Sequence, residues 1–280
     1  MEIVHHLQAK TATVGGGQVW RALPQVRCRK VGPWVFLDHF GPVAGPGADL
    51  APHPHCGLST VSYLFEGCVE HRDSTGGHAL VRPGEVHWMR AGAGITHSER
   101  VPADPTQRAE RTHGLQLWCA HADGDDEQPP RFDSVRDLPR LVVAGATVDL
   151  LAGTGWGLAS PVDVTSPLVL AVARIPGVVG LLLPDHEERA VYVVSGRVEA
   201  GAARVGAHEL AVVGAGPAAV RAVGGGAVVA VLGGAPIGPR FMWWNLVHSD
   251  PERLREQAER WRDGGFPEVV GDPGPRIEGP

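Results

Sequence analysis

The sequence predicts an all-β protein built from two similar antiparallel barrels, with one helix near the C-terminus. Short runs rich in valine and aromatic residues recur about every 8–12 residues, which is the strand spacing of sandwiches and barrels. The 280 residues include 38 glycines and 24 prolines, which favour turns between short strands. A strand pattern of the first half also recurs in the second half, which indicates a duplicated domain.

The first half contains a regular series of predicted strands. The apolar core of residues 31–42 is typical of a buried strand, and it ends at Gly41-Pro42. The strands predicted after it span residues 60–65, 68–73, 78–82, 85–89, 95–99 and 115–119. Strand patterns resume in the second half at residues 141–144, 147–151, 168–175 and 178–183.

A polar segment separates the two sets of strands. Residues 121–140 contain a run of acidic residues followed by Pro129-Pro130, a composition typical of an exposed connection. We therefore predict an N-terminal domain at 1–125, a linker at 126–140 and a C-terminal domain at 141–280 that includes the helix.

The duplication aligns the segment Tyr63 to Glu70 with the segment Tyr192 to Glu199. In this register His53 and His55 of the first copy correspond to Leu182 and Pro184 of the second. With a shorter hairpin loop further on, His97 and Glu99 correspond to Arg221 and Val223. The second copy thus keeps the strand pattern, but it lacks every metal-ligating side chain of the first.

The predicted helix runs from Asp250 to Trp261. Asp250 suits the N-cap and Pro251 suits the first turn. Leu254, Ala258 and Trp261 recur at helical spacing and form one apolar face.

Composition excludes several classes of function. The net charge is −6 and basic residues form no long block, so no direct nucleic-acid partner is expected. No run of about 18 apolar residues could span a membrane, and the N-terminus lacks the pattern of a signal peptide, so we expect a cytoplasmic protein. The four cysteines show no C-x-x-C spacing and are expected to be free thiols.

Two pairs of side chains point to a metal site. His53 and His55 stand at i, i+2 in one extended segment, and His97 and Glu99 do so in another. Residues at this spacing face the same side of a strand. If the barrel brings the two strands together, three imidazoles and one carboxylate converge on a divalent metal ion.

Nitrogen and oxygen ligands of this kind suit Fe²⁺, Mn, Ni, Co, Cu or Zn better than Ca or Mg. On a six-coordinate ion, four protein ligands leave two positions open. A redox-active ion would support oxygenase chemistry there, whereas zinc would support hydrolysis or a structural role. Loop histidines beside prolines would be the simpler explanation, but it leaves the occurrence of both pairs unexplained.

Several motifs carry a resemblance to a known family. They include Phe36 to Pro42, His53-Pro54-His55, His71 to Ser74, Arg82 to Val86, Trp88-Met89, Gly94-Ile95, His97-Ser98-Glu99, Gly114 to Trp118 and, near the C-terminus, Pro236 to Gly238 and Phe241 to Asn245. In order and spacing, these motifs resemble the pirin family of the cupin superfamily.

The resemblance implies a bicupin, with two double-stranded β-helix (jelly-roll) barrels and one metal, usually iron, in the N-terminal barrel. On the matched motifs the metal ligands are His53, His55, His97 and Glu99. Some pirin-like proteins cleave flavonols such as quercetin with dioxygen, whereas others are regulators that bind protein partners, including transcription factors.

The resemblance leaves two functions open. The first is a quercetin 2,3-dioxygenase type of enzyme that uses iron, dioxygen and a flavonol-like aromatic substrate, with Glu99 as ligand and candidate base. The second is a non-enzymatic regulatory module whose metal redox state sets its affinity for a protein partner. A metal-free relic is disfavoured because all four ligands are present.

Three residues depart from the family pattern. Cys56 stands where arginine is common, Ser59 where glutamate is common, and His87 where glutamine is common. We expect the changes beside the first histidine pair to alter the surroundings of the metal ligands. His87 is either an additional pocket base or a hydrogen-bonded strand histidine.

Overall fold

The computed structural model describes all residues from Met1 to Pro280, and its regular structure is almost entirely β-strand. The strands are β1 (Ile3–Gln8), β2 (Lys10–Val14), β3 (Gly17–Leu23), β4 (Trp34–Ala44), β5 (Leu50–His55), β6 (Leu58–Glu66), β7 (Val69–Asp73), β8 (His78–Val81), β9 (Val86–Arg90), β10 (Ile95–Arg100), β11 (Arg111–Ala120), β12 (Arg131–Val135), β13 (Arg140–Val143), β14 (Ala146–Gly155), β15 (Leu158–Ala159), β16 (Leu168–Ile175), β17 (Gly180–Leu182), β18 (Glu188–Ala200), β19 (Ala203–Gly206), β20 (Glu209–Val213), β21 (Ala219–Gly234), β22 (Phe241–Trp243) and β23 (Leu246–His248). A single 3-10 turn covers Pro105–Gln107, and helix α1 covers Pro251–Arg262. The all-β class and the single C-terminal helix are as predicted.

The chain forms two compact units, each assembled from segments that are separate in sequence. Unit 1 comprises Met1–Thr11, Trp20–His39 and Asp137–Ile237. Unit 2 comprises Ala12–Val19, Phe40–Arg136 and Gly238–Pro280. The division of the chain at 1–125, 126–140 and 141–280 stays a prediction. Within residues 126–140, strand β12 pairs antiparallel with β9 of the same unit.

Unit 1 contains a large antiparallel sheet with an apolar interior. Its main path is β1-β20-β18-β21-β16-β14-β13, and β15, β17 and β19 pair with β14, β21 and β18. Its core consists of small and branched apolar side chains, such as Val191 and Val193 of β18 and Val229 and Val231 of β21. Val191 and Val231 lie directly opposite each other, so residues two apart on both strands face one interior.

Unit 2 contains strands of three antiparallel sheets. The first is four-stranded with the order β5-β10-β7-β8, and in the second, a seven-stranded sheet, β12, β9, β6 and β11 are successive neighbours. Strands β22 and β23 form the third. On the second sheet Ser62 of β6 lies opposite both His87 of β9 and Gln116 of β11. Directly opposed residues share a face, so these three polar side chains form a polar strip on one face of the sheet. The opposed pair described for unit 1 consists of valines instead.

Helix α1 belongs to unit 2 and begins as the sequence predicts. The Asp250 side chain accepts a hydrogen bond from the Glu252 amide at 2.8 Å, and Pro251 occupies the first turn. The apolar face of the helix packs into a buried cluster formed by Leu254, Ala258, Trp261, Cys56, Leu246 and Phe266. No helix of this protein combines the length and the apolar character that crossing a membrane requires.

Candidate metal centre

Strands β5 and β10 bring three histidines together in unit 2. The strands are antiparallel neighbours, with His97 opposite His53 and Ile95 opposite His55. The ligand nitrogens of His53, His55 and His97 all lie within 4.8 Å of one another. The three side chains are buried, with exposures of 5%, 2% and 1%, respectively. The i, i+2 spacing places both imidazoles of β5 on the same face of the strand. His97 reaches the same point from the neighbouring strand β10.

Burial keeps these imidazoles uncharged near neutral pH. Loss of solvation lowers the pKa of His53, and it lowers the pKa values of His55 and His97 well below the ordinary range. Mutual repulsion among the rings lowers the pKa values of His55 and His97 further. A neutral imidazole keeps one nitrogen lone pair, which is the form that binds a metal ion.

Two of the histidines are oriented by main-chain carbonyl groups. His53 Nδ1 donates to the Ala51 carbonyl at 2.9 Å, and His55 Nδ1 donates to the Asn245 carbonyl at 3.0 Å. A carbonyl oxygen only accepts, so the hydrogen of each ring must be on Nδ1 and the lone pair on Nε2. Both rings are therefore held in the tautomer that offers Nε2 as a ligand.

His97 is oriented by another histidine instead. Its Nδ1 lies 3.4 Å from Nδ1 of His71, whose Nε2 lies 3.0 Å from Oδ2 of Asp73. Burial raises the pKa of Asp73, but hydrogen bonds from His71 and Thr75 outweigh this effect and hold it below the usual range. Nε2 of His97 is buried and has no hydrogen-bond partner. Since an unpaired buried nitrogen is costly, this atom fits a ligand to an ion at the centre of the cluster.

Glu99 follows His97 by two residues on β10, but its carboxylate is not part of the set of mutually close ligand atoms. The Ser62 hydroxyl lies 3.3 Å from Oε1 of Glu99 and 2.8 Å from Oε1 of Gln116. The negative charge of Glu99 also raises the pKa of His53, against the larger effect of burial. The assignment of Glu99 as the fourth ligand stays a prediction.

Aromatic and polar side chains complete the surroundings of the cluster. The Trp118 ring meets the His55 ring edge-on at a centroid distance of 5.2 Å. Phe132 stacks on His71 with a centroid distance of 4.0 Å and an interplanar angle of 6°. The Phe132 ring centroid also lies 5.7 Å from that of His87, whose Nε2 is 3.2 Å from Glu85 Oε2. Burial lowers the pKa of His87, and its role as a pocket base stays a prediction.

The other two departures from the family pattern point into packed regions. Cys56 lies in the cluster beneath α1, and burial raises the pKa of its thiol to about 12. Ser59 Oγ is 2.9 Å from Nε2 of His121, whose Nδ1 donates to the Asp125 carbonyl at 3.2 Å. Burial lowers the pKa of His121 to about 4. Ser59 and His121 have exposures of only 1% and 0%, so this pair cannot act as a nucleophile and base on a substrate.

Sequence reasoning gave no role to Asn245 or to the pair His71 and Asp73. Asn245 contacts His55 through its backbone carbonyl, and the two residues are 190 positions apart in the chain. Every residue has a backbone carbonyl, so no sequence pattern identifies this contact. His71 and Asp73 stand at i, i+2 on β7, the same spacing that identified the histidine pair on β5. That spacing could have marked them as partners on one face.

The two β units, with a buried histidine cluster in one of them, define a bicupin protein. The chain belongs to the pirin family, because residues 16–119 match Pirin and residues 177–267 match the Pirin C-terminal cupin domain. A Pirin-like protein of Caulobacter vibrioides is 40% identical over 265 residues, which cover 91% of this chain and 92% of that protein. Pirin of Homo sapiens is 30% identical over 207 residues, covering 71% and 69% of the two chains.

A solved structure is similar over nearly the whole length. The crystal structure of a quercetin 2,3-dioxygenase from Acinetobacter baumannii superimposes with a TM-score of 0.91 at 31% identity. The superposition covers 99% of this chain and 95% of that one. The predicted bicupin fold is therefore confirmed.

Proposed function

We propose that this protein is a dioxygenase that cleaves flavonol-like aromatic compounds at a mononuclear iron held by His53, His55 and His97, with Glu99 as the fourth ligand. The observation that carries the proposal is the buried cluster of neutral imidazoles, in which Nε2 of His97 has no other partner. The similarity to a quercetin 2,3-dioxygenase over nearly the full chain supports the reaction class.

The donor set narrows the choice of ion. Imidazole nitrogens, with or without one carboxylate, suit Fe²⁺, Mn, Ni, Co, Cu or Zn. A bound redox-active ion supplies the electron-transfer chemistry with dioxygen that zinc cannot supply. Iron is our assignment among the redox-active ions.

The protein's own residues would bind and deprotonate the substrate. The carboxylate of Glu99 can accept a hydroxyl proton, and the Ser62 hydroxyl lies 3.3 Å from its Oε1. Gln116 adds a hydrogen-bonding amide next to Ser62. Trp118 adds an aromatic surface beside His55. A flat, polyhydroxylated aromatic compound matches this combination of ring faces and hydrogen-bonding groups.

The test is an aerobic reaction of the purified, iron-loaded protein with quercetin. We expect loss of the visible absorbance of the flavonol together with uptake of about one dioxygen per flavonol consumed, since both oxygen atoms enter the product of a dioxygenase. His97→Ala removes one ligand and should abolish iron binding and turnover together. His78→Ala, at a half-exposed histidine on β8, is the matched control and should retain both.

A lack of turnover at full iron occupancy would exclude the flavonol substrate. If a protein partner then bound the ferric form but not the ferrous form, the same site would serve the alternative function, a metal-dependent regulatory module.

A further inference from the structure

We propose that Asp73 and His71 form a hydrogen-bonded relay that fixes the tautomer of His97, so that the lone pair of His97 Nε2 faces the metal. This assigns His71 and Asp73 as positioning residues. The inference rests on the proposed metal site, but it concerns atoms that can be observed without the metal.

The relay is built by the pairing of two neighbouring strands. In the antiparallel pair β10 and β7, His97 lies opposite Asp73 and Glu99 lies opposite His71. The side chain of His97 therefore reaches diagonally to His71, with 3.4 Å between the two Nδ1 atoms. His71 Nε2 then lies 3.0 Å from Asp73 Oδ2. His71, Asp73 and His97 have exposures of 4%, 0% and 1%, so water does not compete for these bonds.

The positions of the hydrogens follow in order from the carboxylate. An ionised carboxylate only accepts, so His71 Nε2 must carry a hydrogen. With a single hydrogen on the His71 ring, Nδ1 is an acceptor, and the nitrogen that faces it is Nδ1 of His97, which then donates an N–H. His97 in turn keeps its lone pair on Nε2, the buried nitrogen that has no partner in the protein.

Both members of the relay are held firmly. Asp73 Oδ1 accepts from the Thr75 amide at 2.7 Å, from the Thr75 hydroxyl at 2.7 Å and from the Gly77 amide at 3.0 Å. These three donors leave Oδ2 for His71. The His71 ring is in turn fixed in its plane by the parallel stack on Phe132.

His97 differs from the other two histidines in what sets its tautomer. His53 and His55 bind main-chain carbonyls, which no substitution can convert into donors. The tautomer of His97 depends on two side chains. A single substitution at Asp73 should therefore reverse the relay without touching any of the three histidines of the cluster.

Asp73→Asn is the decisive variant. The amide oxygen must face the three donors at Thr75 and Gly77, so the amide NH₂ faces His71 and donates to Nε2. His71 then carries its hydrogen on Nδ1, and His97 is forced to carry its hydrogen on Nε2. Nitrogen-15 NMR of the metal-free protein should show His97 protonated at Nδ1 in the wild type and at Nε2 in the variant. Affinity for Co²⁺, followed by its visible spectrum, should fall by about tenfold or more.

A second pair of variants tests the same step independently of that substitution. His71→Phe keeps a ring that can stack on Phe132 but removes both hydrogen bonds, and it should weaken Co²⁺ binding to a similar degree. His71→Gln can accept from His97 through Oε1 and donate to Asp73 through Nε2, so it should recover most of the lost affinity. His78→Phe is the matched control, because His78 pairs with Glu70 at 2.9 Å on the neighbouring strand without leading to the cluster.

Unchanged His97 protonation in folded Asp73→Asn, or Co²⁺ affinity within threefold of wild type in His71→Phe, would overturn the relay. If wild-type protein binds neither Co²⁺ nor iron, the proposed function fails. The tautomer measurement on metal-free protein still decides whether the relay exists.

Discussion

His97 lies directly opposite His53 across strands β10 and β5, with their ring centroids 4.3 Å apart. Two buried imidazoles at this distance would repel each other if both were charged. Burial also removes the water that would solvate the charged form. The arrangement is stable only with neutral rings, and it leaves lone pairs directed at one point. Buried lone pairs without a hydrogen-bond partner are unfavourable, and a metal ion bound at that point would remove this cost.

Removal of one imidazole should separate metal binding from folding. In His97→Ala we expect no stoichiometric iron or Co²⁺, because two histidines do not complete the cluster. Metal should raise the thermal midpoint of unfolding in the wild type and leave that of the variant unchanged, since a ligand stabilises only the state it binds. Calorimetry with and without metal measures both, and a variant that still gains stability from metal would contradict the ligand assignment.

Glu99→Gln tests the fourth ligand. The substitution keeps the size of the side chain and its contact with Ser62, but it removes the charge and the proton acceptor. We expect metal affinity to fall by about tenfold to a hundredfold, with turnover lost even at full occupancy. Glu66→Gln, at a half-buried carboxylate on β6 that pairs with Arg111, is the control. If Glu99→Gln kept full metal affinity and turnover, the assignment of Glu99 as ligand and base would be wrong.

The stability of the metal-free protein should depend on pH in a defined direction. Burial lowers the pKa values of His53, His55 and His97 below the value of about 6.5 expected in the unfolded chain. Below that pH the unfolded chain binds protons that the folded protein does not bind. The free energy of unfolding should therefore fall as pH falls, by roughly 1 kcal/mol per pH unit for each such imidazole.

Urea unfolding of metal-free protein between pH 7.5 and 5 measures this slope. His55→Phe should show a shallower slope, because it lacks one buried imidazole and because His97 loses one source of repulsion. His6→Ala, at an exposed histidine of β1, should leave the slope close to that of the wild type. Equal slopes in wild type and His55→Phe would show that the histidine cluster does not cause the pH dependence of the free energy of unfolding.

Gly77→Ala should disturb the metal site from a distance. A Cβ at this position would overlap Oδ2 of Asp73, so the carboxylate that pairs with His71 must move. We expect a loss of about 1–3 kcal/mol in the free energy of unfolding together with weaker Co²⁺ binding. Gly225→Ala is the matched control, because its Cβ would meet open space. Wild-type affinity in folded Gly77→Ala would show that the Asp73 position does not matter for the cluster.

Local patterns in the sequence determined many of the strands, the helix and the histidine pairs, but not β12, which lies within the predicted linker. The spacing of His53 and His55 is a period-two pattern, and the cap formed by Asp250 and Pro251 is a contact between neighbours in sequence. Such features are set by backbone geometry over a few residues. The sequence left the meeting of the two histidine-carrying segments as a condition, and the structure shows it as the antiparallel pairing of β5 with β10.

The tertiary structure decided which groups orient those histidines. His55 donates a hydrogen bond to the carbonyl of Asn245. Asn245 lies in the C-terminal segment 238–280, which folds into the same unit as the histidine cluster. His97 takes its partner from His71, through the pairing register of β10 with β7. A main-chain carbonyl is present at every residue, and a register is a property of two strands together. Neither the acceptor of each hydrogen bond nor the tautomer that it favours could therefore be predicted from one segment of the chain.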